Sequence, residues 1–257
     1  MDKDIKTILI TGAGSGIGRG LSEKLAADGF RIIATDLNKI AVQETVDSIT
    51  EAGGQAVGLQ ADITNESDIE KLFIAAECQQ VDVLINNAGL QHVAKLEDFP
   101  QDKWDLLIRV MLSGACMMTR AVLPLLRGKN FGRIINIGSI HSLVASPYKS
   151  AYVAAKHGLL GFSKVVALET ADTDITINTI CPSYVKTPLV DKQIDSQAKE
   201  HGISRDQVIN EIMLKPMPKG NFISMEELSG IVEFLISGSA KNITGQTITV
   251  DGGWTIR

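Results

Sequence analysis

Short β-rich runs alternate with longer amphipathic segments from residue 7 to the end of the chain. This alternation is typical of repeated βαβ units, in which helices cover both faces of a mostly parallel sheet. The pattern predicts strands near residues 7–11, 31–35, 55–60, 81–86, 132–138, 175–180 and 246–250. It predicts helices near residues 17–28, 39–52, 66–77, 103–127, 151–171 and 225–236. Because neither a Pro/Ser-rich linker nor an internal repeat divides the sequence, we expect one α/β domain over residues 1–257.

The composition argues against several classes of function. The formal net charge is −5 and Lys and Arg are not clustered, so a nucleic-acid partner is not expected. No apolar run approaches the length of a membrane span, so no membrane partner is expected either. The opening MDKDIKTILITG is charged and enters a predicted strand at once, which leaves no room for a signal peptide and predicts a cytoplasmic protein.

The three cysteines, Cys78, Cys116 and Cys181, are odd in number and widely spaced. Such spacing predicts neither a disulfide framework nor a metal site. We expect Cys116 and Cys181 to be buried as small apolar residues.

A glycine cluster lies between the first predicted strand and the first predicted helix, in TILITGAGSGIGRGLSEKL. Gly12, Gly14, Gly16 and Gly18 let the backbone turn sharply, and the following helix points its N–H groups toward a ligand at the turn. This arrangement suits a pyrophosphate, although a tight structural turn uses similar residues. The spacing of Gly12, Gly16 and Gly18 differs from the G-x-G-x-x-G fingerprint.

Two carboxylates follow the next two predicted strands. Asp36 ends RIIATD, where such sheets place a carboxylate on the adenosine ribose hydroxyls, and a 2′-phosphate there would meet like charge. Arg31 lies at the opposite end of that strand, so the sequence predicts a preference for NAD over NADP. Asp62, in ADIT, is placed to hydrogen-bond adenine. Asp36 also suits a helix N-cap or a turn, and Asp62 also suits the N-cap of the next helix.

The predicted strand 132–138 leads into SIHSLVASPYKSAYVAAK, which holds three groups suited to alcohol and carbonyl chemistry. Tyr152 and Lys156 are four residues apart, so a helix puts the phenol and the ammonium on one face. A neighbouring positive charge favours the phenolate and is expected to lower the pKa of Tyr152 toward neutrality. Ser139 precedes that helix and is expected to hydrogen-bond the oxygen that Tyr152 protonates. Taken alone, the Tyr152 and Lys156 pair also fits a solvated helix surface.

Several motifs occur in one order along the chain: TGAGSGIG at 11–18, Asp36, NNAG at 86–89, Ser139, Tyr152-x-x-x-Lys156 and the closing VDGGW at 250–254. Together they resemble the short-chain dehydrogenase/reductase family over essentially the whole chain. The resemblance implies a Rossmann-type, doubly wound parallel sheet of seven strands that binds NAD at the carboxyl ends of its strands, and a homotetramer. It implies that Tyr152 is the general acid/base, that Lys156 lowers its pKa and holds the nicotinamide ribose, and that Ser139 orients the reacting oxygen.

The resemblance also implies which residues contact the cofactor. They lie in the glycine turn, after the second to fourth strands, in the catalytic segment and after the sixth strand: Gly12, Ser15, Gly16, Ile17, Gly18, Asp36, Asp62, Ile63, Asn87, Ala88, Gly89, Tyr152, Lys156, Pro182, Val185 and Thr187. Thr187 is expected to hold the nicotinamide carboxamide, while Ser183 replaces the family's usual glycine.

The segment 189–216 is expected to form a small helical lid, or else an ordinary pair of surface helices. Its apolar residues recur at helical spacing: Val208, Ile209, Ile212 and Met213.

One position departs from the family. Members usually carry an asparagine in the long helix before the fifth strand, where it positions a proton-relay water, and here the matching residue is Met111. A thioether cannot make the two polar contacts of that amide. Met111 also continues an apolar helix face, so core packing accounts for it equally well.

A further set of residues resembles the bacterial 3-hydroxybutyrate dehydrogenases within the family. The substrate carboxylate is expected to contact Gln91, His141, Lys149 and Gln193, with Tyr184 as an apolar wall and with Ser139 and Tyr152 at the reacting carbon. Taken singly, Lys149 also suits a solvated loop and His141 a satisfied loop histidine.

The expected activity is the reversible, NAD-dependent oxidation of (R)-3-hydroxybutyrate, a small-molecule substrate, to acetoacetate. One alternative is the oxidation of another small hydroxy acid or secondary alcohol. Another is an NAD-binding regulatory protein with little turnover, an alternative that Met111 keeps open.

Overall fold

Seven strands form one parallel sheet within residues 6–256, the part of the chain that the computed structural model describes. They are β1 (Thr7–Thr11), β2 (Arg31–Asp36), β3 (Gln55–Gln60), β4 (Val81–Asn86), β5 (Phe131–Ile137), β6 (Asp174–Pro182) and β7 (Thr247–Val250). Their order across the sheet is β3-β2-β1-β4-β5-β6-β7. The strand order reverses between β1 and β4, which places a crevice at their carboxyl ends where such sheets bind ligands.

The helices are α1 (Gly16–Ala27), α2 (Lys39–Glu51), α3 (Glu66–Ile74), α4 (Gln101–Ile108), α5 (Ala115–Lys129), α6 (Ser150–Glu169), α7 (Pro188–His201), α8 (Arg205–Gln207) and α9 (Met225–Ile236). Two π-helical segments, Arg109–Gly114 and Val208–Met213, follow α4 and α8. The predicted helix 103–127 is therefore three consecutive helical segments.

Hydrophobic cores lie on both faces of the sheet because successive strand side chains point to opposite faces. Ile8 of β1 packs in one cluster with Leu21 of α1 and Leu228 of α9. Leu9 packs on the other face in a cluster with Val122 of α5. The predicted Rossmann-type, doubly wound sheet of seven parallel strands is confirmed.

The continuous helical stretch Gln101–Lys129 corrects one expectation. It has 29 residues and a mean hydropathy of 1.6, which by length and composition alone would allow it to cross a membrane. The expectation that no apolar run approaches that length is therefore wrong. Met118, Val122 and Leu126 of this stretch are fully buried against the sheet, so core packing explains its apolar composition.

The cysteines are only partly as expected. Cys78 and Cys181 are buried and Cys116 is exposed, and all three are free thiols. The prediction of burial is thus wrong for Cys116. Cys116 follows the buried Ala115 on α5 and points away from the sheet, because one helical step rotates a side chain by roughly 100°.

The segment after β6 carries a small cluster of its own. Val190 and Ile194 of α7 pack with Val208 and Met213 of the second π-helical segment. The predicted helical periodicity of this segment is confirmed. This packing places α7 beside the carboxyl end of β6.

Candidate active site

A cavity of about 1010 Å³ opens at the carboxyl ends of the strands. Its cofactor end consists of residues 12, 14–17, 36, 62 and 87–89. Its substrate end is defined by Gln91, His141, Lys149, Tyr184 and Gln193. The predicted site residues all line this cavity except Gly18 and Pro182.

The turn between β1 and α1 shows what its glycines do. Gly12 and Gly16 have φ values of +66° and +56°, which glycine adopts without strain. A Cβ on Gly16 would meet no described atom within 4 Å, so the N-terminus of α1 opens into the cavity. Ser15, the N-cap of α1, makes no side-chain capping hydrogen bond to any residue in 6–256, which leaves its hydroxyl for a ligand. This cradle of small residues and N–H groups fits a pyrophosphate.

The two predicted residues outside the cavity are buried behind it. A Cβ on Gly18 would lie 2.2 Å from the carbonyl oxygen of Gly12 and 2.4 Å from Nδ2 of Asn87. Gly18 therefore lets α1 pack against the turn. Pro182 is the last residue of β6 and pairs with Val250 of β7.

The Asp36 carboxylate joins the glycine turn to the loop after β2. Its Oδ2 accepts the Gly14 N–H at 3.1 Å and its Oδ1 accepts the Asn38 N–H at 3.0 Å. Asn38, not Asp36, is the N-cap of α2. The carboxylate is thus fixed at the cavity wall by backbone N–H groups.

Asp62 is held within its own turn. It accepts hydrogen bonds from the N–H and the hydroxyl of Thr64 at 2.8 and 2.7 Å. The N-cap of α3 is Asn65, so the N-cap alternative for Asp62 is wrong. Asp62 still lines the cofactor end.

Ser139, Tyr152 and Lys156 all line this cavity. Tyr152 and Lys156 both lie on α6, and the Lys156 Nζ is 5.8 Å from the centre of the Tyr152 ring. Lys156 is buried and donates a hydrogen bond to the Ile137 carbonyl at 2.6 Å. Ser139 follows β5 directly, and its Oγ accepts the His141 N–H at 3.2 Å.

Desolvation dominates the titration of these groups. Burial lowers the pKa of Lys156 to about 8. Burial also raises the pKa of Tyr152, while its hydrogen bond with Ser139 acts in the opposite direction. The expectation that the pKa of Tyr152 is lowered is therefore wrong.

The side chains of Lys149 and His141 approach each other at the substrate end. The Lys149 Nζ and the Ser146 Oγ each lie 3.4 Å from the His141 Nε2. Burial, and then the charge of Lys149, lower the pKa of His141 to about 4, and burial lowers the pKa of Lys149 as well. An anion placed here would receive hydrogen bonds from both side chains and offset their desolvation.

Amide and aromatic side chains complete the substrate end. Gln91 and Gln193 line it, and the buried Gln91 Oε1 has no hydrogen-bond partner among the described residues. The Trp254 ring lies 6.1 Å from the centres of both the His141 and the Tyr184 rings. The sequence reasoning did not assign Trp254 to the site. Its signal was VDGGW, whose two glycines both have positive φ and turn the chain back after β7.

Further cavity residues were also not predicted. They are charged or apolar side chains on α1, α7 and α9 and in the loop before α2: Arg19, Glu23, Lys24, Leu37, Lys192 and Met225. Surface helices show no local signal that one of their turns will border a cavity. Within residues 6–256, no group of three or more His, Cys, Asp or Glu side chains is placed to hold a metal ion.

Comparison with known proteins agrees with this geometry. The sequence profile of the family described as short chain dehydrogenase matches residues 6–198. The chain belongs to the short-chain dehydrogenase family. This family and its Rossmann-type fold bind a nicotinamide cofactor, which the cradle before α1 and the Asp36 carboxylate fit.

Individual short-chain dehydrogenases are similar over nearly their whole length. The D-beta-hydroxybutyrate dehydrogenase of Rhizobium meliloti (strain 1021) is 45% identical, with 97% of this chain and 98% of the relative covered. The enzyme of the same name from Cupriavidus necator is also 45% identical, with 97% of each chain covered. A crystal structure of an actinorhodin polyketide ketoreductase with NADPH superposes with a TM-score of 0.91 at 30% identity, covering 98% of this chain and 97% of that one.

Met111 is the position at which this short-chain dehydrogenase departs from the pattern expected of its family. It is 1% exposed, lies in the first π-helical segment and packs with Leu107, Ala151 and Ala155, so the core-packing interpretation is confirmed. A second cavity of about 10 Å³ lies between Met111 and Lys156. That volume suits about one water molecule.

Proposed function

We propose that this dehydrogenase catalyses the reversible, NAD-dependent oxidation of (R)-3-hydroxybutyrate to acetoacetate. The convergence of the His141 and Lys149 nitrogens at 3.4 Å, in the same cavity as Tyr152 and Ser139, is the observation that carries the proposal. A small hydroxy acid has a carboxylate to satisfy that pair and a hydroxyl to reach Tyr152. The names of the two relatives at 45% identity support the same substrate.

The roles of the chain's own residues follow from this placement. Lys149 and His141 bind the carboxylate, with Gln91 and Gln193 as further hydrogen-bonding partners. Ser139 hydrogen-bonds the C3 oxygen, and Tyr152 takes the hydroxyl proton. A bound nicotinamide cofactor would supply the hydride acceptor for C3. The positive charge of Lys156, whose Nζ lies 5.8 Å from the centre of the Tyr152 ring, favours the phenolate form of Tyr152.

The choice of NAD over NADP rests on the cofactor end. The Asp36 carboxylate is held against the Gly14 and Asn38 N–H groups, where a 2′-phosphate would meet its charge. Arg19 borders the same part of the cavity, and Glu23 and Glu44 both pair with it, at 3.0 and 3.6 Å. The ketoreductase structure contains NADPH, so cofactor choice varies among proteins of this fold.

The segment 189–216 is proposed as a lid of a single domain. Val190, Lys192 and Gln193 of α7 line the cavity. Thr187 caps α7 by accepting the Val190 N–H at 3.4 Å, and Asp191 pairs with Lys186 at 2.7 Å. Substrate that contacts Gln193 would hold α7 over the cavity. The homotetramer remains a prediction from the family resemblance, and the cytoplasmic location remains a prediction from the sequence.

A panel assay tests the function. Initial rates are measured with (R)- and (S)-3-hydroxybutyrate, lactate and 2-butanol, each with NAD and with NADP. The highest kcat/KM is expected for (R)-3-hydroxybutyrate with NAD. A higher value for 2-butanol would support the secondary-alcohol alternative. NAD binding without turnover on any substrate would support the regulatory alternative, which Met111 keeps open.

A further inference from the structure

We propose that Tyr148 is a positioning residue, whose left-handed backbone conformation aims Lys149 into the substrate end and ties the loop of Gln91 to it. The inference deepens the proposed function and rests on it for the identity of the bound carboxylate. Tyr148 touches neither the substrate nor the cofactor in this account. It acts through its backbone.

The first observation is the conformation itself. Tyr148 has a φ of +67°, and only one other non-glycine residue in the described part of the chain, Asn130, has a positive φ. A bulky side chain disfavours that region, whereas asparagine and glycine tolerate it. The side chain of Tyr148 is 54% exposed, so burial of the ring does not compensate for the strain.

The second observation is where the turn leads. Pro147 and Tyr148 form a turn, and a positive φ after proline is what a type II turn requires. The next residue, Lys149, is the N-cap of α6. Lysine has no side-chain acceptor for a cap, and within residues 6–256 the Lys149 side chain makes no capping hydrogen bond. The side chain extends instead to His141.

The third observation is a hydrogen bond between two loops. The Ala94 N–H donates to the Tyr148 carbonyl at 3.0 Å. Ala94 belongs to the loop after β4, which carries Gln91, and Tyr148 belongs to the loop after β5, which carries His141. The turn therefore fixes the relative positions of three groups that the proposed function assigns to the carboxylate.

These observations share one physical reason. Tyr148 and Lys149 both go against local preference, one in its φ and the other as an N-cap, and they do so at the mouth of the cavity. Strained conformations persist where surrounding contacts impose them, and they concentrate at functional sites. The turn costs local stability, and it directs the ammonium of Lys149 into the cavity.

The test compares variants that keep the turn with one that opposes it. Tyr148→Gly and Tyr148→Asn suit a positive φ, whereas Tyr148→Val places a β-branched residue there. Asn130→Val is the matched control, because it introduces the same conflict at the end of α5, away from the cavity. The measurements are kcat and KM for (R)-3-hydroxybutyrate and for 2-butanol, hydrogen exchange at Ala94, and crystal structures of the variants.

Tyr148→Val is expected to reduce kcat/KM for the acid about tenfold, mostly through KM, and to change that for 2-butanol by less than about twofold. Exchange at Ala94 should be faster, and the distance from Lys149 Nζ to His141 Nε2 should be longer. Tyr148→Gly and Tyr148→Asn should keep the acid preference and the slow exchange. Asn130→Val should lower Tm and leave the ratio of the kcat/KM values for the two substrates unchanged.

Two results would overturn the inference. If the Gly and Asn variants lost as much acid preference as the Val variant, the tyrosine ring rather than the turn would matter. If the Val variant kept the Lys149–His141 distance and slow exchange at Ala94, the turn would not position Lys149. A wild-type protein that does not prefer the acid to 2-butanol would instead contradict the proposed function, while the exchange and the crystal structures would still decide the role of Tyr148.

Discussion

At the cofactor end of the cavity, the groups that meet a ligand are largely backbone, whereas at the substrate end they are side chains from four separate segments. The turn before α1 offers N–H groups and glycines, and Asp36 is itself held by two backbone N–H groups. At the other end, Gln91, His141 and Gln193 come from different loops and helices.

The two ends should therefore differ in their sensitivity to side-chain substitutions. Backbone N–H groups survive most substitutions, so the cofactor end should tolerate side-chain changes outside its glycines and Asp36. The substrate end depends on the buried His141 and the half-buried Lys149, whose pKa values are both lowered by burial. Loss of one of them should remove much of the discrimination between substrates. The following changes test this contrast.

Tyr152→Phe should have the largest effect. Removing a general acid/base lowers kcat by roughly a hundredfold to ten-thousandfold. Cofactor affinity, measured by fluorescence titration, should change little, because the cofactor end keeps its backbone groups. Tyr184→Phe is the control, since it removes a second cavity phenol, whose pKa is also raised by burial, and should cost much less. Equal losses in both variants would remove Tyr152 from the proton-transfer role.

Lys149→Ala should have the next largest effect. A charge-assisted hydrogen bond to a partly desolvated carboxylate contributes roughly 1.5–3 kcal/mol, or about one to two orders of magnitude in kcat/KM for 3-hydroxybutyrate. The value for 2-butanol should hardly change. Lys192→Ala, which removes an exposed lysine of the same cavity, serves as the control. An unchanged preference for the acid in Lys149→Ala would show that the carboxylate binds elsewhere.

Asp36→Ala should change cofactor choice and leave substrate choice intact. Removing the carboxylate should shrink the preference for NAD over NADP by roughly tenfold, because the like charge facing a 2′-phosphate is gone. Asp62→Ala should weaken both cofactors without altering their ratio. Kinetics with both cofactors provide the measurement. Equal use of NAD and NADP by the wild-type protein would contradict the prediction.

Met111→Asn should have the smallest effect on turnover. The amide would replace a thioether that is 1% exposed, and an unsatisfied buried amide costs roughly 1–3 kcal/mol of stability. We expect Tm to fall by several degrees, kcat to change by less than about threefold, and Met111→Leu to keep both. If the wild-type protein were inactive and the Asn variant active, the regulatory alternative would replace the proposed function.

Much of this protein is determined by local sequence. The period of apolar residues predicts all seven strands, because a strand and a helix require different spacing of buried side chains. Gly12 and Gly16 were identifiable because the tight turn needs a positive φ at both positions, and glycine adopts a positive φ without strain. The spacing of Tyr152 and Lys156 predicts a shared helix face for the same local reason, and both lie on α6.

Only the tertiary structure decided the properties that depend on many residues distant in sequence. Trp254 reaches the substrate end from the last strand, and Cys116 faces away from the core that surrounds its neighbours. The pKa of Tyr152 is raised, not lowered, because desolvation by burial outweighs the hydrogen bond with Ser139. Tyr148 adopts a positive φ that its own residue type disfavours. The local conformational preference of a residue depends on its type and its sequence neighbours. Its burial and any imposed strain depend on the distant residues that the fold packs against it.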